Sequence, residues 1–212
     1  MFDIEYKGGN TVTITTKKSK LVTDPKLSLV GLKDLDTKGA VQLATEARFV
    51  TAGSDTLLSL EGPGEYEVGD FSIRGIAAER HIDTEADPKI STMYRIEVGD
   101  VRLALIGNIK GKLSEDQLES LGVIDLVIVP VGGGGYTLDA VSATHLVRDI
   151  DAKLVIPIHY ADKALKYEVP QDDLSLFVSE FGGTVENVGT KFKVKSASSL
   201  PLTQTIFELQ RS

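Results

Sequence analysis

Two apolar runs, "DLVIVPV" at 125–131 and "KLVIPI" at 153–158, constrain this chain more than any other feature. Neither alternates polar and apolar residues, which is the pattern of a strand covered on both faces. Between them the segment from about Leu138 to Asp149 reads as a helix. Strand, helix and second buried strand make a βαβ crossover, and such a unit calls for helices laid over the faces of a sheet.

The first half of the chain alternates instead. "TVTITT" and "KLVTD" read as strands, and "YEVGDFSIRG" and "YRIEVGDVRLALIG" read as hairpins sharing a Gly-Asp turn. In "LSEDQLESLG", Ser114 is a helix N-cap with Gln117 three residues on, Leu113 and Leu118 form a hydrophobic staple, and Gly122 is the stop. "DDLSLFVSEFGG" puts Leu174, Phe177, Val178 and Phe181 on one helical stripe. "KFKVKS" and "TQTIFEL" return to alternation. The reading is a mixed α/β fold.

At 212 residues, with Pro and Gly dispersed and no low-complexity stretch, the chain is expected to be one domain spanning 1–212. A net charge of -8 without a Lys/Arg stripe disfavours nucleic acid and anionic membrane surfaces as partners. The N-terminus has no hydrophobic signal core and no apolar run reaches bilayer length, so a cytoplasmic location is expected. The chain has no cysteine. Thiolate chemistry and cysteine-held metals are thereby excluded, and any transition metal would rest on histidine and carboxylate.

Three strands end in unusual residues: Asn108 after "RLALIG", Gly132, Gly133, Gly134 and Gly135 after "LVIVPV", and His159 after "LVIPI". Ligands of open α/β sheets gather beyond the carboxyl ends of strands, so these ends are candidates for one rim. Each has a plainer reading as well. A histidine closing a buried strand serves equally as a hydrogen-bonded structural residue. The glycine run is either a flexible turn or a set of bare amides for an anion, Thr137 or Asp139 caps the following helix, and Asn108 suits a turn. His145, within the helix, is given no role.

Taken in order, "GPGEYEVGDFSIRGI", "IGNIKGKLSEDQLESLG", "IDLVIVPVGGGGYTLDA" and "KLVIPIHY" resemble the metallo-β-lactamase superfamily, especially its short branch of metal-dependent hydrolases. The resemblance covers essentially the whole chain. It implies a four-layer αββα sandwich of two mixed sheets with the site at one edge between them. Active members carry an HxHxDH motif, an isolated histidine, a metal-bridging aspartate and a final histidine. Here "LATEARFVT" holds the motif's place, so Glu46 and Arg48 stand for its first two histidines and Val50 and Thr51 for its aspartate and next histidine. Asn108 replaces the bridging aspartate, and Gly8, Gly9 and Asn10 replace a GHS-like motif. Only His81 and His159 match the histidines expected at their positions.

Two histidines fall short of the three protein ligands usual for catalytic zinc. Glu46 is the available third donor, but Arg48, permanently charged and unable to ligate, would repel a dication beside it. The favoured expectation is therefore a non-catalytic or weakly active protein of this fold. It would need no cofactor and would bind a small anionic molecule or a protein partner at Glu46, Arg48, Asn108, Gly132–Gly135 and Asp139. The alternative is a hydrolase of phosphoester, lactone or amide bonds with zinc or manganese on His81, His159 and Glu46. A third is a metal-free enzyme with His159 or His81 as general base. Subunit pairing through an edge strand stays open.

Overall fold

The computed structural model describes residues 1–53, 55–80 and 90–212. Strand β1 (Phe2–Gly8) buries every second residue, as its alternation requires. It is followed by β2 (Thr11–Thr15), β3 (Lys20–Thr23), β4 (Val41–Leu43) and β5 (Leu58–Leu60). The two expected hairpins are β6 (Gly64–Val68) with β7 (Phe71–Glu79), and β8 (Ile90–Val98) with β9 (Val101–Leu105). Gly69 and Gly99 open their turns at φ 60 and 64, which suits a two-residue turn with glycine at its first central position.

The second half supplies α1 (Glu115–Leu121), β10 (Leu126–Pro130), α2 (Ala140–Ile150), β11 (Leu154–Ile158), α3 (Leu174–Phe181), β12 (Thr184–Asn187), β13 (Phe192–Val194) and β14 (Thr205–Glu208). The capping box of α1 forms as read, with Gln117 N donating to Ser114 Oγ and Ser114 N to Gln117 Oε1. Strands β10 and β11 are fully buried and pair in parallel, joined by α2. That helix begins two residues later than the apolar pattern suggests. Asp139 is its N-cap, accepting from Ser142 N at 2.7 Å, while Leu138 is a buried residue of the preceding turn.

Among the described residues the strands form two mixed sheets, ordered β13-β1-β2-β3-β4-β5 and β12-β14-β11-β10-β9-β8-β7-β6. Their facing sides share one apolar cluster, with Ile4, Tyr6 and Leu43 from the first meeting Tyr94, Leu105 and Ile156 from the second. A second cluster lies on the other side of the β10–β11 sheet and takes in the apolar faces of all three α-helices. This is the two-sheet α/β sandwich that the resemblance implies. Its helices are unevenly shared: among the described residues no α-helix packs over the β1–β5 sheet. The segments after β3 and β4 are cut by Pro25, Gly31, Gly39 and Gly53, and they make only single 3-10 turns at Leu27–Val30 and Ala47–Phe49.

Strands β9, β10 and β11 are neighbours, as the rim requires, so Asn108, Gly132 and His159 leave the sheet side by side. From the first sheet, the β1–β2 turn brings Asn10, the end of β3 brings Asp24 and the end of β4 brings Glu46. No described helix is long and apolar enough to cross a membrane.

Candidate functional site

The site begins with a clamp between strand ends. Asp24, in a left-handed conformation at φ 43, accepts from Thr45 N and Thr45 Oγ1, both at 2.7 Å. The carbonyl of Thr45 accepts in turn from Thr92 N at 2.8 Å, tying the first sheet to the second. Burial pushes the Asp24 carboxyl up to about 8, against the pull of the two Thr45 donors. With Thr45 held at both ends, the next side chain, Glu46, is directed into the edge of the sandwich.

Glu46 is buried and carries a crowded carboxylate. Its Oε2 lies 3.0 Å from Arg48 Nε and 3.0 Å from Arg80 Nε, and its Oε1 accepts from Asn108 Nδ2 at 3.1 Å. Burial raises this carboxyl's pKa, while the two guanidinium groups and the amide draw it back down. The Arg48 guanidinium stacks over Phe49 and Tyr136, at 4.8 and 4.9 Å from the ring centroids, and its outer nitrogen reaches Glu168 at 3.5 Å. Apolar faces and a carboxylate thus hold a cation in the position from which the resemblance expects a ligand.

The His159 imidazole lies 5.6 Å from the Tyr136 ring that Arg48 also contacts, and is stacked on Tyr167 at 4.7 Å. Its backbone is left-handed at φ 51, held by its N–H donating to Tyr6 Oη at 3.1 Å. Burial, and then the nearby Arg48 charge, lower its pKa to about 3, so the ring is neutral. Nδ1 lies 2.8 Å from Asn10 Oδ1. With the Asn10 amide oxygen placed toward the ring, which can only accept, Nδ1 donates and Nε2 is left as a lone pair.

Asn10, Arg48 and His159 line a cavity of about 30 Å³ together with Leu27, Phe49 and Tyr167. Four of their buried polar atoms have no hydrogen-bond partner: Asn10 Nδ2, Arg48 Nε, Arg48 Nη2 and His159 Nε2. Arg48 Nε is close enough to Glu46 for ion pairing but out of line for a hydrogen bond. Buried polar groups are nearly always satisfied, so such a cluster marks a place where water or a ligand completes the hydrogen bonds.

The expected residues are only partly brought together. Glu46, Arg48, Asn108 and His159 meet at one edge, whereas His81 lies outside the described residues. Gly132–Gly135 do not form the cavity wall. Gly132 packs under the His159 carbonyl, Gly133 donates to Leu138 O, Gly134 backs onto the Pro170 carbonyl and Gly135 is exposed. These glycines support the rim through close backbone approach, in place of the bare-amide cradle expected of them. Asp139 is engaged as the cap of α2, outside the cavity wall, and His145 is exposed. Sequence reasoning missed Arg80, Asn10 as a partner of His159, and the aromatic pair Tyr136 and Tyr167. Nothing in the spacing of "ERHID" singles out its arginine.

A family profile described as a beta-lactamase superfamily domain matches residues 3–159. The chain belongs to the beta-lactamase superfamily. Solved structures agree on the metallo-β-lactamase fold. A candidate Zn-dependent hydrolase of the metallo-β-lactamase superfamily from Thermotoga maritima superposes with a TM-score of 0.78 at 21% identity, covering 99% of each chain. A metallo hydrolase from Ignicoccus hospitalis gives 0.66 at 14% identity over 92% of this chain and 99% of its own. A diiron β-hydroxylase from Streptomyces venezuelae gives 0.64 at 14% identity over 92% of this chain and 54% of its own. No curated protein sequence matches.

The fold implies a metal, and the donor set can be tested against one. Among the described residues no group of three or more His, Asp or Glu side chains converges. Glu46, the carboxylate at the expected position, is already paired with two guanidinium groups. A dication there would face two fixed positive charges within a few ångströms. The described residues do not fit a metal of this family's kind.

Proposed function

We propose that this protein is a metallo-β-lactamase-fold binding protein in which a salt-bridge network of Glu46, Arg48 and Arg80, joined by Asn108, occupies the ancestral metal position. It takes up a small anionic molecule and does not hydrolyse it by a metal-dependent route. The observation that carries this reading is the pair of 3.0 Å contacts from Arg48 and Arg80 to one oxygen of Glu46. Attack by a metal-activated hydroxide needs an ion with several anionic or neutral donors and an open coordination position. A carboxylate shared by two arginines supplies neither. The imidazole of His159 is a weak base here, since burial lowers its pKa to about 3, which argues against a metal-free route through it at neutral pH.

Elemental analysis after incubation with zinc or manganese, paired with phosphodiesterase, lactonase and amidase assays, tests the proposal. Metal well below one equivalent and no turnover are expected. One equivalent of tightly held metal, lost together with activity in His159→Ala and in His81→Ala, would establish the mononuclear hydrolase instead.

A further inference from the structure

The unsatisfied atoms of the cavity specify more than an anion. Arg48 Nη2 and Asn10 Nδ2 are donors without acceptors, Arg48 Nε has the Glu46 carboxylate beside it at 3.0 Å, and His159 Nε2 is an acceptor without a donor. With Arg48 Nε facing Glu46, a ligand that completes the other three must accept two hydrogen bonds and give one. Fully deprotonated oxyanions such as nitrate and sulfate can only accept, and would leave the imidazole lone pair facing negative charge. Acceptance alone does not complete the site.

The inner space is small, about 30 Å³, on a scale where one water needs at least about 10–15 Å³. It therefore admits a compact group. Positive charge comes from Arg48, with Lys26 also in the wall; the acidic groups there are Glu168, which already pairs with Arg48, and Asp24. Asp24 is turned toward Thr45, which occupies both of its carboxyl oxygens.

Building on the binding role argued above, we propose that this cavity selects a small oxyanion that retains one proton, of the hydrogencarbonate or hydrogenphosphate type. Arg48 Nη2 and Asn10 Nδ2 hold its charged oxygens, and its remaining hydroxyl donates to His159 Nε2. Asn10 does double duty, since its oxygen fixes the imidazole tautomer that leaves Nε2 free to accept. Discrimination follows from the cost of opposing two lone pairs in a buried site.

Titration calorimetry of the full-length, metal-free protein near neutral pH, with hydrogencarbonate, hydrogenphosphate, nitrate and sulfate in turn, tests this. The expected result is that one hydrogen-bearing anion binds at least about tenfold more tightly than its proton-free counterpart, hydrogencarbonate over nitrate or hydrogenphosphate over sulfate. Which pair responds identifies the ligand by size. Arg48→Met should weaken that binding by at least about tenfold. His159→Phe should erase the preference, and His159→Gln, whose amide oxygen still accepts, should keep most of it. Circular dichroism checks that each variant folds, and the wild-type comparison stands if one does not. Equal affinity within both pairs, or no binding of any of the four, overturns the inference and leaves ordered water as the occupant. In a metal-free, inactive protein that outcome spares the binding role itself, whereas stoichiometric metal would remove both.

Discussion

Oε2 of Glu46 lies 3.0 Å from Nε of Arg80, and each side chain is more than nine-tenths withdrawn from solvent. A pair so placed is held by its mutual charge, because neither ion has water to fall back on. Breaking it from one side costs far more than its presence contributes. Glu46→Gln leaves Arg48 and Arg80 facing a neutral amide, and is expected to destabilise the protein by about 3–5 kcal/mol. Arg48→Met, which leaves Glu46 paired with Arg80 and fills the space between Phe49 and Tyr136 with an apolar chain, should cost about 1 kcal/mol or less. Urea denaturation midpoints of the two variants, read against wild type, decide the order.

Two buried groups oppose each other in pH. His159 has a folded pKa of about 3 against 6.5 when free, so the unfolded chain binds the extra proton and stability is lost as pH falls below about 6.5. Asp24 has a folded pKa of about 8 against 3.8, so the folded chain binds the extra proton and stability is lost as pH rises from about 4 toward 8. Between about pH 4 and 6.5 the two slopes cancel, each worth about 1.4 kcal/mol per pH unit. Asp24→Asn should expose the His159 slope, with stability falling on acidification. His159→Gln should expose the reverse. Chemical denaturation at several pH values reads both, and parallel profiles for the two variants would refute the pairing.

Gly132 packs where a side chain has no room. A methyl group added there would come within 2.3 Å of the His159 carbonyl oxygen, a backbone atom that cannot swing away. Gly132→Ala is expected to cost about 2 kcal/mol and to shift the imidazole. Gly135→Ala meets no neighbour and suffers only from φ 73, worth about 1 kcal/mol. The His159 ring resonances should move in the first variant alone.

Ser114 closes the capping box of α1. Ser114→Ala should destabilise by about 1 kcal/mol without altering the cavity, and so serves as a control for variants at the site. A thermal midpoint lowered with anion binding intact is the outcome expected.

Much of this fold was legible because its signals are local. The uninterrupted runs at 126–130 and 154–158 became neighbouring parallel strands, the Gly-Asp pairs became tight turns and Ser114 capped its helix. Where local reading erred, a longer-range contact was the cause. The glycines after β10 look like an anion cradle by composition, yet Gly132 and Gly134 let the backbones of His159 and Pro170 approach. Asn108 reads as a turn residue, but its amide donates to Glu46, 62 positions away.

From its residues alone the chain determines an α/β fold and places Glu46 and Arg48 where the resemblance expects metal-binding histidines, since periodicity, turn chemistry and residue identity are properties of short segments. Only the tertiary structure decided what those two side chains touch. Arg80 joins Arg48 on one carboxylate, and Asn10 sets the proton of His159, through strand ends that converge from both sheets. Charge compensation in a buried site depends on distances of about 3 Å, and such distances between residues far apart in sequence exist only once the sheets have packed.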